Sequence, residues 1–326
     1  MALSDAFVTA HIAHWQQELA SPRYPHRRKW PGCLFHHAPF ENVVSILSTG
    51  MLRSRNDPAN PRPRDVSARE VNQAREHAHD WVRMYFRPKT PTQFSIEGIR
   101  KAGECKFGEG THAPILVMLV LDAHRILTQP DIRFCGQNMQ KRNAVPGDDE
   151  AYFSAIPFAK VFSEGSTEGD DTIIQHRCAE VLSSSPLDLG QCLRSIYFRS
   201  EPERDTVLHA LGQNRQRWLQ RCFVSDALKV FEKKFSFVQE ISLTREGVVF
   251  TLNPRNDRQA VEVRISVSDM EGHSVAQFYS ASLAAAPPQG RWIYKREFPD
   301  GNYMVRVEID GHLAYEAPIS LTDSLF

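Results

Sequence analysis

The stretch LFHHAPFENVVSILSTGMLRS, Leu34–Ser54, sets the reading of the chain. It opens as a short apolar turn ending in the paired His36 and His37, and then crosses a polar corner. Val43, Val44, Ile46 and Leu47 follow at helical spacing, which predicts a short helix held to the core by that face. Gly50 suits the left-handed position that closes a helix. Asn42 stands at or near the helix start, where a side-chain oxygen can cap. A histidine pair is thus set just before a packed helix, and the question is what that helix supports.

Working outward, residues 5–19 read as an amphipathic helix with Phe7, Ile12 and Trp15 on its apolar face. RNDPANPRPRDV (55–66) carries three prolines and reads as loop, and residues 67–84 return to helical patterning. APILVMLVLD (113–122) is a continuous apolar run of strand length, which predicts a central buried strand. A helix is expected to enter RFCGQNM. From 135 to 172 the chain is polar and Gly-rich with little periodicity, which predicts a long irregular loop, usually functional or disordered. HRCAEVLSSSP gives another short apolar element, LRSIYFR (193–199) a further strand, and 203–220 a helix. After about 240 the pattern becomes short alternating segments (GVVFTL, VEVRISVSD, AQFYSASL, RWIYKREF, YMVRVEID, AYEAPISL) separated by turn residues. That spacing predicts an antiparallel β-sandwich of the immunoglobulin-like kind. Two domains are expected, 1–240 mixed α/β and 241–326 all-β.

Hydrophobic content of 41% with 24% charged residues fits a globular domain and no fibrous or disordered class. The N-terminus lacks a basic segment followed by an apolar one, and ILVMLVL (115–121) is too short to cross a bilayer, so a cytoplasmic protein without membrane contact is expected. None of the six cysteines forms C-x-x-C, so reduced buried thiols are expected. Net charge is zero but unevenly spread: residues 22–101 hold 15 Lys/Arg and 7 Asp/Glu. There, basic residues interleave with aromatics in RYPHRRKW and WVRMYFRPK, a composition suited to phosphates and stacked bases, or simply a solvated basic face.

Several motifs fail on context. GEGTHA (108–113) matches G-x-G-x-x-A, but Pro114 and a strand follow where a dinucleotide site needs a helix. There is no P-loop and no G-x-S-x-G elbow. EHAHD sets its histidines two apart, on different sides of a helix, so no metal site is expected.

Three pieces remain: F-H-x-x-x-x-x-N-x-x-S-I-L-x-x-G-x-L (35–52), Y-F-x-P-x-x-P (85–91) and A-E-x-L (179–182). In this order they resemble the DarT family of nucleic-acid ADP-ribosyltransferases, over roughly 33–215. The resemblance implies a mixed α/β ADP-ribosyltransferase fold using NAD as substrate. His36 would hold the nicotinamide end, Asn42 would help order the NAD pocket, and Tyr85 and Phe86 would line it. Glu180 would be the catalytic acid, and the loop at about 140–175 would cover the site and help select the target. The family's usual Arg is Lys89 here, and its Met is Thr92. Lys keeps the charge but loses the planar fork, so Lys89, or Arg87 two residues earlier, would act at the acceptor.

The chemistry is of a kind these residue types serve. Cleaving the nicotinamide–ribose bond creates an oxocarbenium-like centre, which a carboxylate steadies. The acceptor base must be unstacked, which favours single-stranded DNA or RNA. Family membership would also imply a toxin of a toxin–antitoxin or anti-phage system, with an antitoxin protein as partner. The sandwich would recruit, or be recognised by, an antitoxin, a chaperone or a phage-derived activator, or simply stabilise the first domain. Taken alone, the residues leave plainer readings open. His36 can be structural, Glu180 can pair with Arg177 at i, i+3, and Tyr85 and Phe86 can be core. The rival functions are a catalytically idle NAD- or nucleic-acid-binding module and a protein-modifying ADP-ribosyltransferase.

Overall fold

In the computed structural model, which describes residues 2–61, 63–66, 76–108, 110–139, 141–284 and 290–321, the opening stretch is strand, not turn. Cys33–Pro39 (β1) is extended and carries both histidines. Helix Phe40–Thr49 follows at once and buries Val43 and Leu47. It stops where the spacing predicts: Gly50 has φ +72° and its N–H bonds to the Ile46 carbonyl, a conformation that costs glycine little. The start differs from expectation. Pro39 precedes the helix with no side-chain cap, so Asn42 lies within the first turn and its amide is available elsewhere.

The chain divides into two compact units. The first comprises Met1–Ser95, Val117–Tyr197 and Ser225–Glu232. Besides β1 its sheet contains β2 (Val82–Tyr85), β3 (Leu116–Asp122), β4 (Ile132–Cys135), β5 (Glu180–Ser183) and β6 (Leu193–Phe198), in the order β4-β5-β2-β1-β3-β6. The apolar run of 113–122 is the buried strand β3, with Leu116–Leu121 all at 1% exposure or less. The helical patterning expected over 67–84 does not hold where the structure describes it. Glu76–His79 is one 3-10 turn, and β2 follows; residues 67–75 lie outside the described residues. Alternation explains the strand: Val82 and Met84 are buried on one side, while Arg83 and Tyr85 share the other. The helix expected to enter RFCGQNM is Ala123–Leu127; RFCGQNM itself begins within strand β4, because Ile132 and Phe134 alternate into the core.

The segment 135–172 is not irregular throughout. Glu150–Ala155, Phe158–Val161 and Thr172–His176 are short helices. Their aromatics supply the missing periodicity by tertiary contact: Phe153 and Phe158 meet Phe86 edge-on at 5.9 and 5.1 Å between centroids. Helix Asp5–Glu18, as expected, brings Phe7 to Phe153 and Trp15 to Phe158 and Phe162.

The second unit comprises Ile96–Leu116, Phe198–Val224 and Lys233–Phe326. The helix expected over 203–220 ends early, as Glu201–Leu211, where Gly212 takes φ +54°. Its start is fixed by the fully buried Arg199–Glu203 pair. The C-terminal strands are antiparallel, as their alternation predicts. One sheet has three strands (238–244, 247–252, 292–295) and the other four (261–269, 274–283, 301–309, 312–321). Val248, Phe250 and Leu252 from the first and Val263, Ile265, Val305 and Val307 from the second bury into one core, the arrangement of a sandwich. Tyr303 donates its hydroxyl to the Pro299 carbonyl at 2.8 Å, tying down the turn before its strand.

Candidate active site

Across β1, β2, β5 and β4, Phe35 stands opposite Tyr85, Tyr85 opposite Glu180, and Glu180 opposite Cys135. Directly opposed residues share a sheet face, so these four form one row. Glu180 is fully buried. Its Oε1 accepts from Arg83 Nε at 3.1 Å and from Nη2 of the same guanidinium, and its Oε2 accepts from the Met139 N–H at 2.8 Å. Both oxygens are therefore fixed. Arg83 also donates to Asn138 Oδ1 at 3.0 Å. Burial works against the Arg83 charge, but Glu180 and Tyr85 beside it more than offset this and raise its pKa. Arg177 bonds to Ser163 and the Gly165 carbonyl, so the i, i+3 pairing with Glu180 is not formed.

The two histidines, alternating along β1, point to opposite faces. His36 bonds through Nδ1 to the Arg83 carbonyl at 2.9 Å. A carbonyl only accepts, so Nδ1 carries the proton, and in the neutral ring Nε2 presents a lone pair. Burial keeps the ring neutral by lowering its pKa. His37 stacks on Tyr85 at 5.3 Å and 14°. Burial and the neighbouring His36 push it down to about 3. Burial also pushes the Tyr85 hydroxyl up, with Glu180 adding to the effect. Phe86, directly after β2, is 3% exposed within the aromatic core.

Asn42 donates Nδ2 to the Arg64 carbonyl at 2.8 Å and accepts the Arg64 N–H at 2.9 Å. It thus pins the proline-rich loop rather than capping the helix. Glu41 adds an ion pair to Arg64 at 3.0 Å.

Arg87 is 2% exposed. Its guanidinium serves the carbonyls of Pro88 (2.9 Å), Val161 (3.3 Å) and Ser163 and lies over Trp30 at 5.1 Å. Burial, with Arg177 nearby, pushes it down to about 9. Lys89 sits at φ +54°, its N–H held by Gln93 Oε1 at 2.8 Å, and its ammonium meets Glu164 at 3.1 Å. Glu164 binds His26 Nε2 with its other oxygen at 2.6 Å. Burial would raise the Glu164 carboxyl, but Lys89 and His26 hold it below the usual range. Arg87 and Lys89 together therefore anchor the segment 161–164 to the turn after β2.

Sequence reasoning passed over Arg83 and Asn138 and gave His37 no role in the site. Arg83 had a signal: a lone cation alternating between Val82 and Met84 in an apolar strand demands a buried partner. The Met139 N–H had none, because only the fold places it. Among the described residues no group of His, Cys, Asp and Glu has metal-site spacing.

The family model described as "ssDNA thymidine ADP-ribosyltransferase, DarT" matches residues 35–226, well over half of the chain, and spans β1, β2 and Glu180. Among solved structures, DarT from Thermus sp. 2.9 in complex with ADP-ribosylated ssDNA is similar over 61% of this chain and 96% of its own, at 18% identity and TM-score 0.50. DarTG from Thermosipho africanus in complex with ADP-ribose is similar over 66% and 54%, at 14% identity and TM-score 0.45. No curated protein matches the chain. With the mixed α/β sheet, its buried carboxylate row and the match through both, the chain belongs to the DarT family of ssDNA thymidine ADP-ribosyltransferases.

Proposed function

We propose that this protein transfers ADP-ribose from NAD to a thymidine base in single-stranded DNA. The observation that carries this is Glu180, a fully buried carboxylate with both oxygens fixed, in the row with Tyr85 and within the family match. The residues on the face of Glu180 fit the nicotinamide–ribose end of a dinucleotide: a fixed carboxylate and a Tyr85–His37 stack. NAD supplies the ADP-ribosyl group and an electrophilic ribose carbon.

The protein's own residues then divide the work. Glu180 steadies positive charge on the ribose. A group fixed beforehand does this without reorganising, and its loss typically costs about 10²–10³ in rate. Arg83 is a positioning residue, holding the carboxylate and, through its carbonyl, the His36 tautomer. His36, on the other face of β1, is a positioning residue that holds the Arg83 backbone, and Tyr85 with His37 closes one wall of the nicotinamide end. Asn42 orders the 63–66 segment. Lys89, a cation kept in place by Glu164, acts on the acceptor side, where it eases loss of the base's proton. Arg87, buried against three carbonyls, positions the 161–163 segment rather than touching the acceptor, and Phe86 supports the wall from the core.

The transferase function is assigned to residues up to about 240, since the family match runs through both compact units. Residues 241–326, a sandwich of immunoglobulin-like size, are assigned to recognition, by an antitoxin first and by a chaperone or phage-derived activator as further candidates. ADP-ribose on thymine blocks reading of the strand, so the enzyme acts as a toxin and needs a restraining partner. It would act in the cytoplasm, where NAD and single-stranded DNA meet; no described helix is long and apolar enough to cross a membrane. The test is incubation with NAD and oligonucleotides that differ in one base. Transfer to thymidine-containing DNA alone supports the reading. Transfer to RNA or protein instead, or NAD binding without transfer, refutes it.

A further inference from the structure

The second compact unit holds an open groove of about 730 Å³, and every residue that lines it belongs to that unit. Gln239–Leu243 line it as consecutive residues of the strand 238–244, and Pro318, Ile319 and Ser320 line it from the strand 312–321. Side chains of a strand alternate between two faces, so a run of neighbours lines a groove only where the groove follows the strand's edge. Each of these strands is the outermost of its sheet. The groove therefore runs between two sheet edges of the sandwich, and helix Glu201–Leu211 borders it through its first turns. We infer that this groove takes an extended, basic segment of a partner protein, which adds as a strand to the edge 239–243. The inference deepens the assignment of residues 241–326 to recognition and rests on it.

The backbone selects which edge pairs. Strand 238–244 follows strand 247–252 in regular register from Glu240 to Thr244. Among the described residues, Gln239–Leu243 make no backbone hydrogen bond outside that ladder. They include neither a proline nor a lysine, the residues that commonly blunt an edge. The start of the strand is different: the Ser200 hydroxyl donates to the Val238 carbonyl at 2.6 Å and closes it. The other edge is blunted. Pro318 has no N–H to give, and the Glu316 N–H is taken by Thr206 Oγ1 at 3.0 Å. One edge thus offers a row of main-chain groups, and the other is a wall. The offered row, at about 3.3 Å per residue, is roughly 17 Å long, enough for a short strand.

Side chains set the occupant's chemistry. Among the lining residues Arg199 is the one cation. It is already neutralised, because its guanidinium binds Glu203 and the Pro114 carbonyl. Glu201 and Asp205 share the cation of Arg204, a partly exposed pairing that water and salt weaken. Glu240, exposed on the pairing edge, adds a further carboxylate. The excess is negative, which favours Lys or Arg on the incoming strand. Ile241, Ile319 and the buried Tyr315 supply apolar surface beside these acids. A strand that alternates apolar and basic side chains matches both, with main-chain bonds giving affinity and the side chains giving specificity. A second copy joined edge to edge would set like carboxylates together, which is unfavourable. Residues 322–326, TDSLF, carry an acid and no base, so they lack the charge this groove calls for.

The test uses the full chain and two short synthetic peptides, one alternating Lys and Val and one alternating Glu and Val, in calorimetry at low salt. The Lys-Val peptide should bind about 10-fold tighter or more, and added salt should narrow the gap. Glu240→Lys should remove or reverse that preference, a change that misfolding cannot produce. Methylating alternate backbone nitrogens of the Lys-Val peptide should weaken binding by about 10-fold, because strand addition needs its N–H groups. Amide exchange at 239–243 should slow when the Lys-Val peptide is added. Equal affinity for both peptides, an unchanged preference with Glu240→Lys, or indifference to methylation overturns the groove. Protection elsewhere in 241–321 with 239–243 unchanged overturns the groove and leaves recognition with the sandwich. No protection anywhere in 239–321 overturns both.

Discussion

Replacing Arg83 with Met would strip Glu180 of its cation while keeping an unbranched side chain in β2. Glu180 would stay fully buried with the Met139 N–H at 2.8 Å as its remaining described partner. Breaking a buried ion pair from one side costs about 3–5 kcal/mol, because the orphaned charge stays out of water. The Arg83 side chain is 21% exposed, so water reaches part of the site and the lower end, about 3 kcal/mol, applies. The lost bond to Asn138 adds about 1 kcal/mol. A loss of about 4 kcal/mol is a large share of a typical domain's 5–15 kcal/mol or so. Urea unfolding of the parent, Arg83→Met, Glu180→Met and the double variant closes the cycle. The double variant, having no orphaned charge, should be more stable than Arg83→Met by about 2 kcal/mol or more, although inactive. A cost below about 1 kcal/mol for Arg83→Met, or strict additivity in the double variant, would refute the reasoning that this pair holds the carboxylate.

His36→Ala should weaken NAD turnover more than His37→Ala, since His36 alone is held by the Arg83 carbonyl while His37 stacks on Tyr85; equal turnover would contradict that division. Lys89→Ala should lower transfer to DNA about 10-fold or more with little change in NAD affinity measured by calorimetry; equal losses in both would place Lys89 at the NAD end. Stability should fall in acid, because burial keeps His11 and His37 neutral, with folded pKa values near 4 and 3. Both lie below the ordinary ~6.5, so their stabilising effect is complete above that value and is lost as pH falls through it towards 3. At pH 5 the loss is about 2 kcal/mol per group at about 1.4 kcal/mol per pH unit. His37→Phe should reduce this acid sensitivity in denaturation measured between pH 7 and 5; unchanged sensitivity would contradict it.

The legible parts of the chain were those where local pattern and tertiary demand agree. Gly50 closes its helix because only the left-handed conformation ends that turn, and the run around Leu119 is buried because nothing polar interrupts it. The C-terminal strands alternate because one face is core. Where tertiary contacts decide, the pattern misled. Val82–Tyr85 looked helical until the neighbouring strands selected its alternation. The helices around Phe153 and Phe158 have no period of their own and exist because aromatic contacts with Phe86 order them. Asn42 looked like a cap, but a residue that bonds a loop 22 positions away leaves no local mark. In the candidate site, Glu180 stood out as an acid in an apolar run. Its partners Arg83 and Met139 are 97 and 41 residues distant in sequence, and only the sheet brings them together.

The most direct measurement is mass spectrometry of a single-stranded oligonucleotide containing one thymine, after incubation with the full chain and NAD. An ADP-ribose adduct on that thymine, with matching release of nicotinamide and a loss of about 10²–10³ in rate for Glu180→Gln, is the predicted result. An unmodified strand, an adduct on another base, or an undiminished rate with Glu180→Gln would contradict the assignment.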